Sequence, residues 1–242
     1  MIEISFPDKS VRSYEKGVTP LDIAQSISEG LARNVISASF NGNTFEASTP
    51  IMEDGFIKLY TWNDKEGKAA FWHSSAHILA QSLLSKYPQA KLTIGPAIEN
   101  GFYYDVDFGD ASFSEKDLPS LEEQFLIFAR EKFEFKMRMS SKSDALKFYQ
   151  KENNPYKIEL IENLEDGTIS FCDHADFTDL CRGGHIPHSG FIKAVKLLSV
   201  AGAYWRGDET KPQLTRIYGI SFPKQKELKE HLLLLEEAKK RD

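Results

Sequence analysis

The sequence predicts an α+β protein of two modules: a small strand-rich one, then a larger one in which helices pack on an antiparallel sheet. Three observations predict it. Short alternating strand segments surround a single helical stretch within residues 1–61. A run of polar and glycine residues, 63–68, then joins this part to the rest. Beyond it, stretches of helical period alternate with strand-length segments closed by turn residues. At 242 residues and 41% hydrophobic, the chain can bury one large or two modest cores.

Residues 2–6 alternate apolar and polar, Pro7-Asp8-Lys9-Ser10 is turn chemistry, and residues 11–14 pair back as a second strand. Thr19-Pro20 opens a helix whose apolar face is Ala24, Ile27 and Leu31, with Leu21 and Ile23 near its start. Residues 35–40 form a third strand, Asn41-Gly42 a two-residue hairpin turn, and residues 56–60 a strand after Asp54-Gly55. Two strands, a helix and two or three more strands fit a ubiquitin-like β-grasp. With no His or Cys and only scattered carboxylates, this module reads as a binding or spacer domain.

Residues 69–87 lack Gly and Pro and carry Phe71, Ile78, Leu79 and Leu83, which predicts an amphipathic helix stopped by Pro88. Residues 91–108 read as two strands turning at Glu99-Asn100-Gly101. Phe102, Tyr104, Val106 and Phe108 share one face; Tyr103, Asp105 and Asp107 share the other. Asp117 caps the next helix, with Pro119 in its first turn and a core stripe of Leu118, Leu121, Phe125 and Phe128. Residues 144–151 give a shorter helix, and 158–161 and 168–171 read as strands flanking Asp166-Gly167. Residues 224–241 form a terminal helix whose stripe of Leu228, Leu232 and Leu235 wants a partner, so the natural polypeptide is expected to continue.

The chemistry concentrates in two short stretches. His73 and His77, four residues apart, project from one face of the predicted helix. Cys181 and His185 repeat that offset around Gly183-Gly184, which argues for a tight loop with close backbone approach. Each pair alone is ordinary: surface histidines in one case, a small buried thiol in the other. The chain has only six His and two Cys, however, and four of those eight fall here. Imidazole and thiolate are the donors tetrahedral zinc prefers. Ser74 follows His73, so the HExxH motif lacks its glutamate and a zinc protease is excluded. Cys172 and His174, at a strand's end, are rival ligands with the weaker claim.

A net charge of −6 argues against nucleic acid, yet residues 180–230 hold nine Lys/Arg against four Asp/Glu, a local balance of +5. Tyr204, Trp205 and Tyr218 are interleaved with these cations, a mixture that suits single-stranded nucleic acid. No signal peptide or spanning stretch is expected, and two Cys without secretory context read as reduced thiols of a cytosolic protein.

Five motifs together carry a resemblance: HSSAH at 73–77, IGPAIENGFYYD at 94–105, FTDLCRGGH at 177–185, LLSVAGAYWRGD at 197–208 and RIYGISF at 216–222. By them the whole chain resembles the N-terminal part of a bacterial threonyl-tRNA synthetase. The resemblance implies a TGS (β-grasp) domain at 1–62, an editing domain at 63–224, and at 225–242 the start of a linker helix towards an absent catalytic core. Alanyl-tRNA synthetase and its free-standing relatives share the His and Cys/His pairs but not the leading β-grasp or AGAYWRGD. Gly184 stands where the family loop CRGPH often has Pro, a departure expected to matter little.

The resemblance implies post-transfer editing, hydrolysis of the ester of Ser-tRNA(Thr). Serine and threonine differ by a methyl group, worth only about 1–3 kcal/mol or roughly 10–200-fold in one binding step, so a second sieve is needed. Carried onto matching positions, His73 and Lys157 position or activate water, although lysine acts as a base only where burial or a nearby cation disfavours its charge. Asp179 and His185 hold the seryl amino and hydroxyl groups and the ribose, and His77 and Cys181 complete the constellation. Tyr104 binds the adenosine or shapes the pocket, and Gly95, Arg182 and Arg206 meet substrate or tRNA. No metal is expected to be required; zinc on His73, His77, Cys181 and His185 is the alternative, and ATP and Mg belong to the absent aminoacylation core. The implied partners are the acceptor end of tRNA(Thr) carrying serine and the rest of a homodimeric synthetase, with no membrane. Two rival readings are a tRNA-binding or regulatory module without turnover and a structural zinc domain that unfolds on chelation.

Overall fold

The computed structural model describes residues 1–240. The first module comprises β1 (Ile2–Ser5), β2 (Val11–Tyr14), α1 (Pro20–Ile27), α2 (Glu29–Asn34), β3 (Ser37–Phe40), β4 (Asn43–Phe45) and β5 (Gly55–Tyr60). Its sheet runs β2-β1-β5-β3-β4 with β1 and β5 parallel, the arrangement of a β-grasp. Ile2, Ile4, Ile23, Phe40, Ile51 and Ile57 fill its core. Asn41 (φ 49°) and Gly42 (φ 82°) supply the two positive φ angles that the tight β3–β4 hairpin demands.

The single helix expected to run through Leu31 is instead two. Ser28 is extended (φ −166°); its N–H ends α1 on the Ala24 carbonyl and its Oγ accepts from Leu31 N at 3.0 Å to open α2. A serine that closes one helix and caps the next breaks the stripe, and Ile27 is left 41% exposed.

The polar run expected to join the modules is largely helical. Asp64 turns the chain by accepting from Thr61 N at 2.8 Å, and α3 (Lys65–Lys86) starts directly after it. Gly67 lies against the Thr61 carbonyl, where a Cβ would collide. Most of α3 from residue 70 to 83 is buried on every side, so it is a central helix rather than a two-faced one. Its polar side chains are there because they find partners. Ser75 Oγ lies 2.6 Å from Ser221 Oγ, Trp72 Nε1 donates to Ser221 O at 3.0 Å, and Ser74 Oγ accepts from Ile186 N at 3.0 Å.

The chain continues through β6 (Lys91–Leu92), β7 (Ala97–Ile98), β8 (Gly101–Asp107), α4 (Leu118–Arg130), β9 (Lys136–Met139), α5 (Lys142–Lys151) and α6 (Pro155–Glu162). It closes with β10 (Ser170–His174), β11 (Phe177–Leu180), β12 (Ala194–Tyr204), β13 (Gln213–Phe222) and α7 (Gln225–Lys239). One antiparallel sheet orders β12-β13-β8-β6, with β7 paired to β8, and a second orders β11-β10-β9. The main core lies between α3, α4 and the larger sheet, around Phe71, Leu79, Phe102, Leu121, Phe125 and Ile217.

Three local expectations change. Residues 158–161 are helical, not a strand: Asn154 Oδ1 accepts from Lys157 N at 3.1 Å and Pro155 takes the first helical position. Asp117 does not cap α4 but reaches back to Ser114 N at 2.8 Å, closing a short 3₁₀ turn before it. Leu228 of α7 is buried and Leu232 packs on the core, while Leu233 and Leu234 are exposed. The helix was expected to reach Arg241, which with Asp242 lies outside the described residues.

Strand alternation places Asp105 on the face of β8 opposite Phe102, Tyr104 and Val106, yet it is buried. Arg216 of β13 meets it with two hydrogen bonds, 2.7 and 2.8 Å, and stacks 3.9 Å above the Tyr103 ring. Asp105→Ala would leave that guanidinium without its counter-charge in the sheet. The partly exposed Arg216 places the loss at the lower end of the range for broken buried pairs, about 3 kcal/mol in urea unfolding, and an unchanged midpoint would refute this account.

Candidate active site

A cleft of about 870 Å³ opens between the β-grasp sheet and the second module. Ser37, Ser39, Thr44 and Tyr60 form one wall, residues 94–97 another, and His73, His77, Lys157, Asp179 and Cys181 lie at its depth.

The helical period of α3 sets His73 and His77 one turn apart, with ring centroids 4.7 Å apart. Cys181 leaves the end of β11 with its N–H bonded to Ser170 O at 3.0 Å. Gly183 (φ 100°) and Gly184 (φ 89°) then fold the loop back, and Ser74 fastens its far end through Ile186 N. His185 is thereby driven beneath α3, stacked 5.2 Å from Phe135 and 4.9 Å from His73. Cys181 Sγ lies 3.0 Å from His73 Nε2 and 3.3 Å from His185 Nε2, and receives Gly183 N at 3.3 Å.

A second cluster underlies the first. Lys157 Nζ donates to Asp179 Oδ1 at 2.6 Å, and Tyr104 OH donates to Oδ2 at 3.0 Å. His77 Nδ1 is 3.3 Å from Oδ2, near enough for an ion pair though angled away from a straight hydrogen bond. Tyr149 OH stands 3.5 Å from Oδ1 while accepting from Leu180 N at 2.9 Å. Asn154, which caps α6, also donates to Leu92 O at 2.8 Å and so fixes the helix that carries Lys157.

The charges follow from this packing. Burial would push the Cys181 thiol up, but the His77 charge and the His185 and His73 donors outweigh it and hold Cys181 well below the usual thiol value. Burial opposes a charged His185; its contacts with Cys172, Cys181 and Glu46 prevail and raise it well above the ordinary histidine value. His77 is raised too, burial being overcome by Cys181 and Asp179. His73 is lowered, because there burial wins. The packing thus favours the charged forms of Cys181, His77 and His185 and disfavours charge on His73.

Several expected contacts change in detail. Tyr104 is buried beneath Gly95, whose missing Cβ leaves room for the phenol ring, so Tyr104 shapes the cleft from below. Neither His185 ring nitrogen faces the cleft: Nε2 meets Cys181 and Nδ1 meets Glu46 at 2.9 Å. Both oxygens of Asp179 are already engaged, so it acts by charge and orientation. Lys157 is buried, but its Nζ is engaged by the Asp179 carboxylate at 2.6 Å and so stands as the partner of that anion. Arg182 is exposed at the cleft, but Arg206 lies outside it, bonded to Glu159 at 3.1 Å.

The basic segment is correspondingly less free than its tally. Lys211 and Trp205 join Arg206 on Glu159 and hold that carboxyl down to about 2. Lys196 pairs with Glu122 at 3.0 Å, Arg216 with Asp105, and Trp205 is buried against Tyr156. The rivals Cys172 and His174 lie behind the cluster. Burial pushes the Cys172 thiol up to about 11 and holds His174 down to about 3 among Phe133, Phe135 and Phe177.

The ligand atoms of His73, His77, Cys181 and His185 all lie within 4.8 Å of one another. Carboxylates stand behind two of the rings, Asp179 at His77 and Glu46 at His185, the outer contacts that orient metal-bound imidazoles. The donor set therefore fits zinc. Sequence reasoning missed Glu46, Tyr149 and Asn154. The one signal for Glu46 was the double glycine, whose exposed N–H groups require an acceptor from elsewhere.

Among the described residues, no helix is long and apolar enough to cross a membrane. Residues 2–61 match the TGS domain model, and residues 169–218 match the model described as the threonyl and alanyl tRNA synthetase second additional domain. Threonine--tRNA ligases are similar along the whole chain: 64% identical over 242 residues in Flavobacterium johnsoniae and 58% over 242 in Cytophaga hutchinsonii. That of Porphyromonas gingivalis (strain ATCC 33277) is 56% identical over 243 residues. The chain spans 37%, 38% and 37% of the lengths of these relatives. Over its whole length the chain is therefore similar to a part of the threonine--tRNA ligases, with a stretch matching the TGS domain followed by one matching the second additional domain.

Proposed function

We propose that this chain is the editing part of a threonyl-tRNA synthetase and hydrolyses the ester of serine mischarged onto tRNA(Thr). One observation carries the reading: a cysteine ringed by three histidines, beside a buried Lys157–Asp179 pair, at a cleft of about 870 Å³. Ester hydrolysis needs a base for water and positive charge near the carbonyl oxygen. Burial disfavours the charged form of His73, and in the tautomer that places Nε2–H on Cys181 Sγ, 3.0 Å away, Nδ1 accepts the proton of the attacking water. The water oxygen bonds to the carbonyl carbon, the ribose oxygen departs with a proton, and serine and intact tRNA are the products. Lys157 pairs with Asp179 and fixes it, while His77 lies between Cys181 and Asp179.

Arg182, exposed at the cleft, is placed to meet a phosphate of the acceptor end. The proposal includes a cytoplasmic synthetase whose remaining part holds the aminoacylation core, with its ATP and Mg, and pairs two copies. It assigns hydrolysis to protein groups. Zinc on all four donors would be a closed structural site; it would polarise the carbonyl as a Lewis acid only if three of them held it and one position stayed open.

Deacylation of Ser-tRNA(Thr) and Thr-tRNA(Thr), with and without chelator, tests this directly. Loss of serine only, indifferent to chelator and slowed about 10²–10⁴-fold by His73→Ala, is the expected outcome. Chelator sensitivity would transfer the role to zinc, and tRNA binding without turnover would reduce the chain to a recognition module.

The Lys157–Asp179 pair makes a separate prediction. Burial would raise Asp179, but Lys157 and then His77 pull it well below the usual carboxylate range. A folded value beneath the unfolded one, about 3.9, gives stability that is present above roughly pH 4 and lost as pH falls below it. Asp179→Asn, leaving Lys157 buried without an anion, is expected to cost about 3–5 kcal/mol at pH 7 and to flatten the acid limb of the urea-unfolding curve. An acid limb as steep in the variant as in the wild type would contradict the assignment.

A further inference from the structure

The β-grasp module, which its sequence suggests is a binding or spacer domain, sends one carboxylate into the site. Glu46 directly follows β4, and its side chain is 13% exposed. Its Oε1 accepts from Gly184 N at 2.8 Å and stands 2.9 Å from His185 Nδ1; its Oε2 accepts from His185 N at 3.1 Å. All three donors belong to the loop that carries Cys181 and His185. The His185 side chain is 0% exposed, so without Glu46 its Nδ1 would be a buried polar atom with no carboxylate to meet it. With Nδ1 held by Glu46, the opposite nitrogen, Nε2, is aimed at Cys181 Sγ, 3.3 Å away.

Gly184 belongs to the same device. Its φ of 89° and its donated N–H are both denied to proline, so the departure from CRGPH, expected to be minor, bears on how the loop is held. Thr44 closes the space beside it, with Cγ2 3.2 Å from where a Cβ would stand.

We propose that Glu46 is a positioning residue of the hydrolytic site, fixing the Cys181–His185 loop and the His185 ring, so that the TGS domain completes the site rather than merely preceding it. This rests on the hydrolase reading given above. It places no group of the first module on the substrate ester; Glu46 acts through His185.

The test uses the full chain with Glu46→Gln and Glu46→Ala, and two readouts. Steady-state deacylation of Ser-tRNA(Thr) is expected to show kcat lowered about 10–100-fold with KM within about threefold. Long-range ¹H–¹⁵N spectra of histidine-labelled protein are expected to show His185 Nδ1 firmly protonated in the wild type and exchanging between ring nitrogens in Glu46→Ala. A merely structural tether would lower the unfolding midpoint and move neither kcat nor the His185 signature. Unchanged kcat in both variants, or a change in KM alone with an unaltered His185 spectrum, overturns the proposal. Should Glu46→Ala fail to fold, the near-isosteric Glu46→Gln keeps the kinetic comparison. Absence of turnover by the wild type would sink the hydrolase reading, while the spectra would still decide whether Glu46 fixes the ring.

Discussion

Asp179 is an anion with almost no contact with water, and the second module is arranged so that it can exist. Burying a carboxylate costs several kcal/mol unless counter-charge and donors meet it. Here they arrive from four elements: Lys157 from α6, Tyr104 from β8, Tyr149 from α5 and His77 from α3. Each of these elements is in turn fixed by what its residue must reach. The α6 start is pinned to β6 by Asn154, and α3 is pinned to β13 by Trp72 and Ser75. Remove the anion and the reason for this convergence disappears.

The same economy explains the polar interior of α3. Ser74, Ser75 and Ser82 all bond to carbonyls one turn back, at 2.8, 2.9 and 2.7 Å. Such back-bonding satisfies a buried hydroxyl at small cost to the helix. Ser74 and Ser75 then use their remaining capacity outward, one on the Ile186 N–H and one on Ser221. The small serines between His73 and His77 thus let the Cys181–His185 loop and the sheet approach α3 closely.

Much of this was legible in the residues. The His pair declared itself because four-residue spacing on a helix has a definite geometric meaning. Asn41-Gly42 and Glu99-Asn100-Gly101 marked their turns because positive φ has few occupants. What was not legible depended on distant partners or on short ambiguous runs. Ile158-Glu159-Leu160-Ile161 suits a strand by composition, and only the Asn154-Pro155 start signal upstream decides for a helix. Alternation gave the face on which Asp105 lies but not its burial or its partner, because Arg216 is 111 residues away. Local charge counting made residues 180–230 a basic patch for the same reason: Glu122 and Glu159 come from other elements. Glu46, 139 residues before the ring it holds, had no local pattern to betray it.

The junction between the modules has a consequence for building chimeras. β5 ends at Tyr60 and α3 starts at Lys65, with Gly67 pressed on the Thr61 carbonyl. A foreign β-grasp spliced ahead of the central helix inherits a fixed angle of exit, set by the last strand and the Thr61–Asp64 turn. It must also present a carboxylate of the right reach one residue beyond its β3–β4 hairpin. Sequence boundaries make the two parts look like interchangeable cassettes, but geometrically they behave as lock and bolt cut from one piece.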